Sequence, residues 1–369
     1  MKSPARSEEP HLGAVDPSFW AGRRVLVTGH TGFKGAWLSL WLQSMGARVT
    51  GFSAGVPTIP SLYELASVED GMESIVGDIR DREAIANAIA RAEPEIVVHM
   101  AAQSLVRRSF AEPLETYGTN VMGTVNVLDG VREANAPVRV VVNVTSDKCY
   151  ENGERESGYR EHEPMGGRDP YSSSKGCAEL VAAAFRGSFF SEKDGPQLAS
   201  ARAGNAIGGG DWGADRLVPD LMRAALAGEP AVIRNPNSIR PWQHVLGPLS
   251  GYLELAQALW HSDELEPAYN FGPAEQDERS VGWIVERLAE LWPGGLEWEL
   301  DDGPHPHEAR YLKLDSSLAR TTLGWRPPVD LDATLQSIVD WYRGLSEGQN
   351  VRTMTLGQIE RLHSAALHT

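Results

Sequence analysis

The sequence predicts an α/β protein with a doubly wound parallel sheet and a smaller C-terminal lobe. From Val25 onward, short apolar β runs alternate with segments of helical period, an order typical of parallel strands joined by right-handed crossovers. The first run, Val25–Thr28, breaks directly into a turn with glycines at Gly29, Gly32 and Gly35, and an amphipathic segment follows at once. The predicted fold therefore begins with a strand, a glycine turn and a helix.

The remaining elements follow the same alternation up to Asn205. The predicted strands of the first half are Val25–Thr28, Arg48–Phe52, Ser74–Val76, Ile96–His99, Val138–Thr145 and Leu198–Ala203. Predicted helices of this half are Ala36–Ser44, Asp81–Ala92, Leu114–Ala134 and Tyr171–Phe185. Beyond Asn205 the strands are shorter, at Ala231–Arg234, Tyr269–Phe271 and Leu296–Leu300, and the helices fall at Leu217–Ala227, Leu249–Trp260, Val281–Leu291 and Leu331–Tyr342.

These elements divide the chain into two main parts. We predict a first domain over 18–205 and a smaller lobe over 206–345 that crosses back to the first domain. A loose leader is expected over 1–17 and a helical tail over 346–369.

Composition narrows the class of protein. Of 369 residues, 41% are hydrophobic and 23% charged, as in ordinary globular chains. The net charge of -16, with no dense Lys/Arg block, argues against a nucleic-acid partner. Cys149 and Cys177 cannot build a disulfide framework or a structural zinc site, so we predict a cytoplasmic protein without a metal. Residues 1–17 lack the apolar core of a signal peptide, and no run approaches the roughly 18 apolar residues of a membrane span.

The glycine turn predicts a dinucleotide site. Glycine lets the backbone turn tightly and lets a pyrophosphate approach the N–H groups at a helix N-terminus. The spacing is Gly-x-x-Gly-x-x-Gly, and the strand before it and the helix after it supply the required context. The residues predicted to contact the cofactor here are Gly29, His30, Gly32, Phe33, Lys34 and Gly35. For His30, a phosphate contact and a simple turn residue remain equal alternatives.

Two further loops contribute to this prediction. The second strand ends at Phe52-Ser53 without the acid that usually binds the adenosine ribose, but no Lys or Arg lies between Arg48 and Arg80 to bind a 2′-phosphate, so NAD is favoured. Asp78 and Ile79 are placed to meet the adenine, although an acid there is also a natural N-cap. The small residues Ala101 and Ala102, with Gln103, are placed beside the cofactor ribose, and packing alone would also explain them.

The string from Tyr171 to Lys175 predicts oxidation chemistry. Its i, i+4 spacing places the phenol and the ammonium on one helix face. A free Tyr has a pKa of about 10, so its use as a base near neutral pH requires a drop of about 3 units, which Lys175 and a positive nicotinamide would favour. Ser146 follows a strand at its carboxyl end, where ligands meet an open α/β sheet, and is placed to bond the hydroxyl being oxidised.

With these motifs, the chain from Val25 to about Tyr342 resembles the extended short-chain dehydrogenase/reductase family. The strings Gly29–Gly35, Thr145–Tyr150 and Asp169–Glu179 are similar to those of the CDP-glucose 4,6-dehydratases. That resemblance implies a Rossmann-type fold, NAD, and CDP-glucose under the second lobe. It also implies oxidation at C4, loss of water across C5 and C6, and return of the hydride to C6.

This reaction needs an acid and a base beyond Tyr171. By analogy with dTDP-glucose dehydratases, which carry Asp-Glu at this place, Asp147 takes the role of the acid for the departing 6-hydroxyl. Lys148 replaces the Glu, and the sequence leaves open whether it removes the C5 proton or stays cationic and stabilises the enolate. A solvated loop pair is the plain alternative for both residues.

The resemblance also implies substrate contacts and an assembly. The residues that match diphosphate and sugar contacts of the family are Arg202, Asn205, Arg216, Arg240 and His244. The helices Leu114–Ala134 and Tyr171–Phe185 resemble the pair through which the family forms dimers. Other readings are a dTDP- or GDP-sugar 4,6-dehydratase, a 4-epimerase, or a dinucleotide sensor without activity. No residue explains a preference for cytidine.

Overall fold

The large sheet has seven parallel strands. The computed structural model describes residues 13–192, 195–301, 303 and 312–366. Its strands are β1 (Arg24–Thr28), β2 (Arg48–Ser53), β3 (Glu73–Val76), β4 (Ile96–His99), β5 (Val140–Val144), β6 (Gln197–Ala203), β7 (Ala206–Ile207), β8 (Ala231–Ile233), β9 (Ile239–Pro241), β10 (Gln243–His244), β11 (Ala268–Phe271), β12 (Glu278–Ser280) and β13 (Trp298–Leu300). The order across the large sheet is β11-β6-β5-β4-β1-β2-β3, so the predicted α/β class is confirmed.

The strand order reverses between β1 and β4. Strands β1 to β3 run outward in one direction and β4 to β6 in the other, which opens a crevice at the carboxyl ends of the central strands. Three strand pairs lie outside this sheet: β7 with β10, β9 with β12 and β8 with β13.

Helices cover both faces of the sheet. They are α1 (Pro17–Trp20), α2 (Phe33–Ser44), α3 (Leu62–Leu65), α4 (Arg82–Ala92), α5 (Val106–Ala111), α6 (Pro113–Tyr117), α7 (Gly123–Glu133), α8 (Pro170–Ser188), α9 (Leu217–Ala227), α10 (Leu246–His261), α11 (Val281–Leu291), α12 (Ser317–Thr322), α13 (Leu331–Ser346) and α14 (Val351–Ala366). A π-helical turn spans Gly118–Met122, and short 3₁₀ turns span Asp147–Cys149 and Glu275–Asp277. No helix among the described residues is long and apolar enough to cross a membrane.

The alternation of side chains along β1 explains the two layers. Val25 and Val27 point to the face covered by α2 and α10, whereas Leu26 points to the face covered by α4, α7 and α8. Both faces are closed, so the central strands β1, β4 and β5 are mainly apolar, and their buried polar residues Thr28, His99 and Asn143 lie toward the carboxyl ends. The carboxyl ends of these strands then remain as the place for polar groups.

Two predicted elements differ from the structure. The helix predicted over Leu114–Ala134 is divided into α6, the π-helical turn and α7. Gly123 lies at the second break, where a Cβ would lie 2.4 Å from Ile79 Cδ1, so the close approach of α7 to Ile79 depends on glycine. Tyr269–Phe271, predicted in the second half, pairs with β6 as the edge strand β11 of the large sheet.

The two ends of the chain also bear on the predictions. Residues 1–12 of the predicted leader lie outside the described residues, but 15–17 are not loose: Val15 is buried and Asp16 caps α1, while the Asp16 N–H donates to Gln257 Oε1 at 2.9 Å. Trp20, fully buried, fastens this segment through its own bond to Gln257. The tail forms α14, with Ile359 and Leu362 buried against the core.

Candidate active site

The glycine turn forms an open cradle at the start of α2. Gly29 has φ +78°, and Gly35 packs so closely that a Cβ would lie 2.1 Å from the Gly29 carbonyl oxygen. At Gly32, the N-cap, a Cβ would meet only that same oxygen at 3.4 Å, and no side chain caps the helix. An uncapped helix N-terminus with a bare approach suits an anion such as a pyrophosphate.

The side chain of His30 lies behind this cradle. It is fully buried, with Nε2 2.8 Å from Ser74 Oγ and Nδ1 3.0 Å from Ser53 Oγ, and Tyr63 packs edge-on against it. Burial lowers its pKa to about 4, so the ring is neutral near pH 7. The predicted phosphate contact of this side chain is therefore wrong, and the turn-residue alternative fits, because both ring nitrogens hold the turn against β2 and β3.

The loop after β3 departs from the prediction in detail. Asp81, rather than Asp78, caps α4, and Asp78 instead accepts from the Arg80 guanidinium, which lowers the Asp78 pKa. Ile79 is buried in the core against Gly123. The Ile79 side chain therefore supports the loop after β3 from the core.

The loop after β4 lies against the glycine turn. A Cβ at Gly29 would lie 2.9 Å from the backbone of Ala101, and Ala101 and Ala102 remain partly exposed. The Gln103 side chain is committed to bracing the loop, since it bonds the Leu105 backbone and Thr116 Oγ1. Small residues thus leave room beside the cradle while the Gln103 amide fixes the backbone.

Ser146, Asp147 and Lys148 share one turn at the carboxyl end of β5. Ser146 caps the 3₁₀ turn by accepting from the Lys148 N–H at 3.2 Å, and its Oγ donates to Asp147 Oδ1 at 2.9 Å. Asp147 is only 4% exposed, whereas Lys148 is partly exposed. The solvated-pair alternative does not describe Asp147, which faces inward.

Tyr171 meets this turn from α8. Burial raises its pKa to about 12, while a hydrogen bond with Ser146 and the charge of Arg216 lower it. Lys175, one turn later and equally buried, has its pKa lowered to about 8 by burial, and its Nζ lies 3.4 Å from the Val144 carbonyl oxygen. The lowered Tyr171 pKa predicted from the sequence is thus not a property of the chain by itself, because the loss of water outweighs its partners.

Charged groups from two other segments converge on the same place. The pKa of Lys34 falls to about 8, first through burial and then through the charges of Arg216 and Lys175, against the opposing effect of Asp147 and Asp211. Arg216 forms an ion pair with Asp211, with 2.7 Å between Nη1 and Oδ2. Cations outnumber carboxylates here, which favours an anionic ligand. Asp211 was not predicted from the sequence. Its position in the glycine-rich turn at 208–213, shortly before Arg216, is a pattern that could have indicated this ion pair.

Two residues predicted to bind substrate are structural instead. Arg202 is buried and forms a two-pronged ion pair with Glu179, each bond 2.9 Å, and also donates to Tyr150 Oη. His244 is buried against Trp37, accepts from the Leu246 N–H through Nδ1, and has its pKa lowered to about 4 by burial. Both side chains are buried and bonded to other residues of the core, so these predicted substrate contacts are wrong.

The other predicted substrate residues are partly exposed. Asn205 and Arg216 are partly exposed in the segment that follows β6. Arg240 is partly exposed on β9, where it donates to the Ile239 carbonyl oxygen at 3.0 Å and pairs in register with Arg279 of β12. These three stay predictions.

Known proteins resemble the chain over most of its length. Residues 26–286 match the family described as GDP-mannose 4,6 dehydratase. A CDP-glucose 4,6-dehydratase of Salmonella typhimurium is 54% identical over 356 residues, which cover 95% of this chain and 99% of that protein.

Two solved structures share the fold. The UDP-glucose 4-epimerase of Thermus thermophilus, in complex with NAD, superposes with a TM-score of 0.75 at 23% identity, covering 87% of this chain and 99% of the epimerase. The dTDP-glucose 4,6-dehydratase of Bacillus anthracis, also with NAD, gives 0.72 at 24% identity, covering 89% and 99%.

Proposed function

Since the chain belongs to the GDP-mannose 4,6 dehydratase family, we propose that it is a hydro-lyase that converts CDP-glucose to CDP-4-dehydro-6-deoxyglucose with NAD. The 54% identity to a CDP-glucose 4,6-dehydratase over nearly both full lengths supports this substrate. The observation that carries the reaction type is the buried Asp147 beside the Ser146–Tyr171 pair. A 4-epimerase needs the Ser146–Tyr171 pair but has no elimination for Asp147 to assist.

The cradle fits NAD. The uncapped start of α2 and the bare surface at Gly32 suit a pyrophosphate, and Ala101 and Ala102 leave room beside it. Both solved relatives hold NAD. When bound, NAD supplies the oxidant that takes a hydrogen with its electron pair from C4 and gives it back at C6.

The chain's own residues handle the protons of the oxidation. Tyr171 removes the proton of the C4 hydroxyl, and Ser146 turns its single O–H from Asp147 to the oxygen that becomes the ketone. Lys175, still mostly protonated at pH 7 because its pKa is about 8, stabilises negative charge on the phenol. The result is a 4-ketone whose C5–H is acidic.

The turn after β5 then performs the elimination. Asp147 gives its proton to the C6 oxygen, the C6–O bond breaks, and water leaves. The C5 proton passes to a base, and the electrons of that C–H bond form the C5–C6 double bond. Lys148 is the adjacent group: as a neutral amine it takes the C5 proton itself, or as a cation it stabilises the enolate while a water molecule takes the proton.

The substrate diphosphate is proposed to lie against Arg216 and Arg240. A guanidinium donates two parallel hydrogen bonds to a diphosphate. The charge of Arg216 acts on Tyr171, so this guanidinium borders the site. Asn205, in the same segment, would contact the sugar.

We also propose that the enzyme lies in the cytoplasm. This proposal is supported by Cys149 and Cys177, which are both free thiols.

A homodimer is proposed on the helices that border the site. Large apolar side chains are exposed along α5, α6, the π-helical turn and the surface of α8, where Leu114 is 87% and Leu180 62% exposed. The others on these segments are Phe110, Tyr117 and Met122, and Phe189 follows directly after α8. A second copy that covers this face would bury it.

A panel of nucleotide sugars tests the function. The purified protein should convert CDP-glucose to a 4-keto-6-deoxy sugar, detected by its absorbance in alkali, faster than it converts dTDP-glucose, UDP-glucose or GDP-mannose. Replacement of Tyr171 by Phe keeps the ring and removes the base, so kcat should fall about 10²–10⁴-fold. A 4-epimer as the product, or a Tyr171→Phe variant within twofold of the parent, would refute the proposal.

A further inference from the structure

Tyr252 carries a buried hydroxyl that the mechanism has not used. The residue lies in α10, is 1% exposed, and its ring packs edge-on against Phe271. Its Oη has no hydrogen-bond partner among the residues that the structure describes. An unpaired buried hydroxyl costs free energy, whereas phenylalanine would fill the same space without that cost.

The position of α10 brings this hydroxyl beneath the acid of the elimination. Helix α10 packs on β5 and β6, and side chains of a helix point back toward its N-terminus, which here lies at the carboxyl ends of those strands. Asp147 follows β5, and its Oδ2 lies so close to Gly204, just after β6, that a Cβ there would be 2.7 Å away. The turn with Asp147 thus lies at the end of the sheet toward which the Tyr252 side chain points.

Electrostatics agree with this placement. Burial raises the pKa of Tyr252 well above its usual range, so the hydroxyl keeps its proton. Tyr171 and Asp147 are the ionisable groups whose charge raises it further. Tyr171 reaches the site from α8, on the opposite face of the sheet from α10. Asp147 is therefore the better partner for a donor that comes from α10.

We propose that Tyr252 is a positioning residue for the dehydration, whose buried hydroxyl, acting directly or through a water molecule, holds the Asp147 carboxyl toward C6 during elimination. This inference rests on the proposed function. It assigns a role at the turn of Ser146 and Lys148 to a residue of α10, which covers the face of the sheet opposite to α8. No new reactant is needed, because Tyr252 keeps its proton and only orients the group that transfers one.

The test compares Tyr252→Phe with Tyr269→Phe. Tyr269 is also fully buried, but its Oη accepts from the Glu266 N–H at 3.2 Å, far from the site on the edge strand β11. Tyr252→Phe should lower kcat tenfold or more with KM and bound NAD unchanged, and its melting temperature should stay equal or rise. Tyr269→Phe should lower the melting temperature and keep the parental kcat.

A C4-deuterated substrate identifies the step. If Tyr252 serves Asp147, elimination becomes slower than hydrogen transfer in Tyr252→Phe, and the isotope effect on kcat falls toward one. An isotope effect that rises would assign Tyr252 to Tyr171 instead, and would overturn the proposal. So would a kcat within twofold of the parent, or a loss of bound NAD. A parent enzyme that dehydrates none of the nucleotide sugars would refute the proposed function itself, and Tyr252 would lose its role with it.

Discussion

At the scale of single residues, one short turn holds the groups that we propose for two different steps. Ser146 bonds Tyr171, the proposed base of the oxidation, and the same hydroxyl donates to Asp147, the proposed acid of the elimination. Lys148 follows at once with its N–H bonded to Ser146. A substitution at Lys148 can therefore separate the steps without moving the groups of the first.

Lys148→Met should stop the reaction after oxidation. The methionine keeps the length of the side chain and removes the amine, so the 4-ketone should form while the C5 proton stays in place. In deuterated water the variant should show little exchange at C5 and a 4-keto sugar that keeps its 6-hydroxyl. Lys148→Arg is the control, because the guanidinium keeps the charge but stays protonated at pH 7 and so cannot accept the C5 proton. Arginine activity near the parent's would indicate enolate stabilisation, and full activity of the Met variant would show that another residue acts.

Local motifs predicted the residues of this turn, but not those whose partners lie far away in sequence. Gly29–Gly35, Ser146 and Tyr171 are defined by neighbours along the chain, and the structure brings them together. Arg202 and His30 looked equally suitable, yet Glu179 and Ser74 claim their side chains. Nothing near them in sequence indicates these partners, because contact across elements is set by the sheet order.

At the scale of elements, buried imidazoles fasten helices and strands to one another. His30 joins the turn after β1 to β2 and β3, and His99 joins β4 to Thr28 of β1 and Thr124 of α7. His244 lies between Trp37 of α2 and Gln358 of α14. Burial lowers the pKa of His30 and His244 to about 4 and that of His99 to about 3.

These imidazoles should make stability depend on pH. The unfolded chain binds their protons with a pKa near 6.5, so it holds more protons than the folded chain below that pH, and the free energy of unfolding falls as pH falls from 6.5 toward 4. Each contributes a slope of about 1.4 kcal/mol per pH unit inside that window. Glu254, whose pKa burial raises to about 8, has the opposite sign.

A variant isolates one of these contributions. His99→Gln should reduce the pH slope of the unfolding free energy between pH 6 and 4.5 by about 1.4 kcal/mol per pH unit relative to the parent, measured in urea with saturating NAD. Its absolute stability will also fall, but the slope does not depend on that loss. Identical slopes for parent and variant would show that His99 is protonated in the folded chain.

The apolar face of α8 gives a prediction about assembly. Leu180→Glu places a charge on the proposed dimer face, so light scattering should report one chain mass instead of two at micromolar concentration. Val232→Glu, at a residue half exposed on β8, is the matched control and should leave the mass unchanged. A parent enzyme with the mass of one chain would contradict the dimer.

At the scale of the whole molecule, sheet topology places the site. The order reverses between β1 and β4. The loops after β1, β4, β5 and β6 carry the glycine turn, Ala101 with Ala102, the turn of Ser146–Lys148 and the Arg216 segment. Alternating strands and helices in the sequence were enough to predict this class. The break at the π-helical turn and the return of β11 to the large sheet could not be predicted, because each depends on packing between distant segments.

The fate of the C4 hydrogen tests the central claim most directly. CDP-glucose carrying deuterium at C4 should give a 4-keto-6-deoxy product with that deuterium at C6 of the same molecule and a solvent proton at C5. When labelled and unlabelled substrates are mixed, no label should cross between product molecules. Deuterium lost to solvent or left on free cofactor would contradict the account, since the chain would then be an ordinary dehydrogenase. Product that retains the deuterium at C4 would also contradict it, since the chain would then be an epimerase.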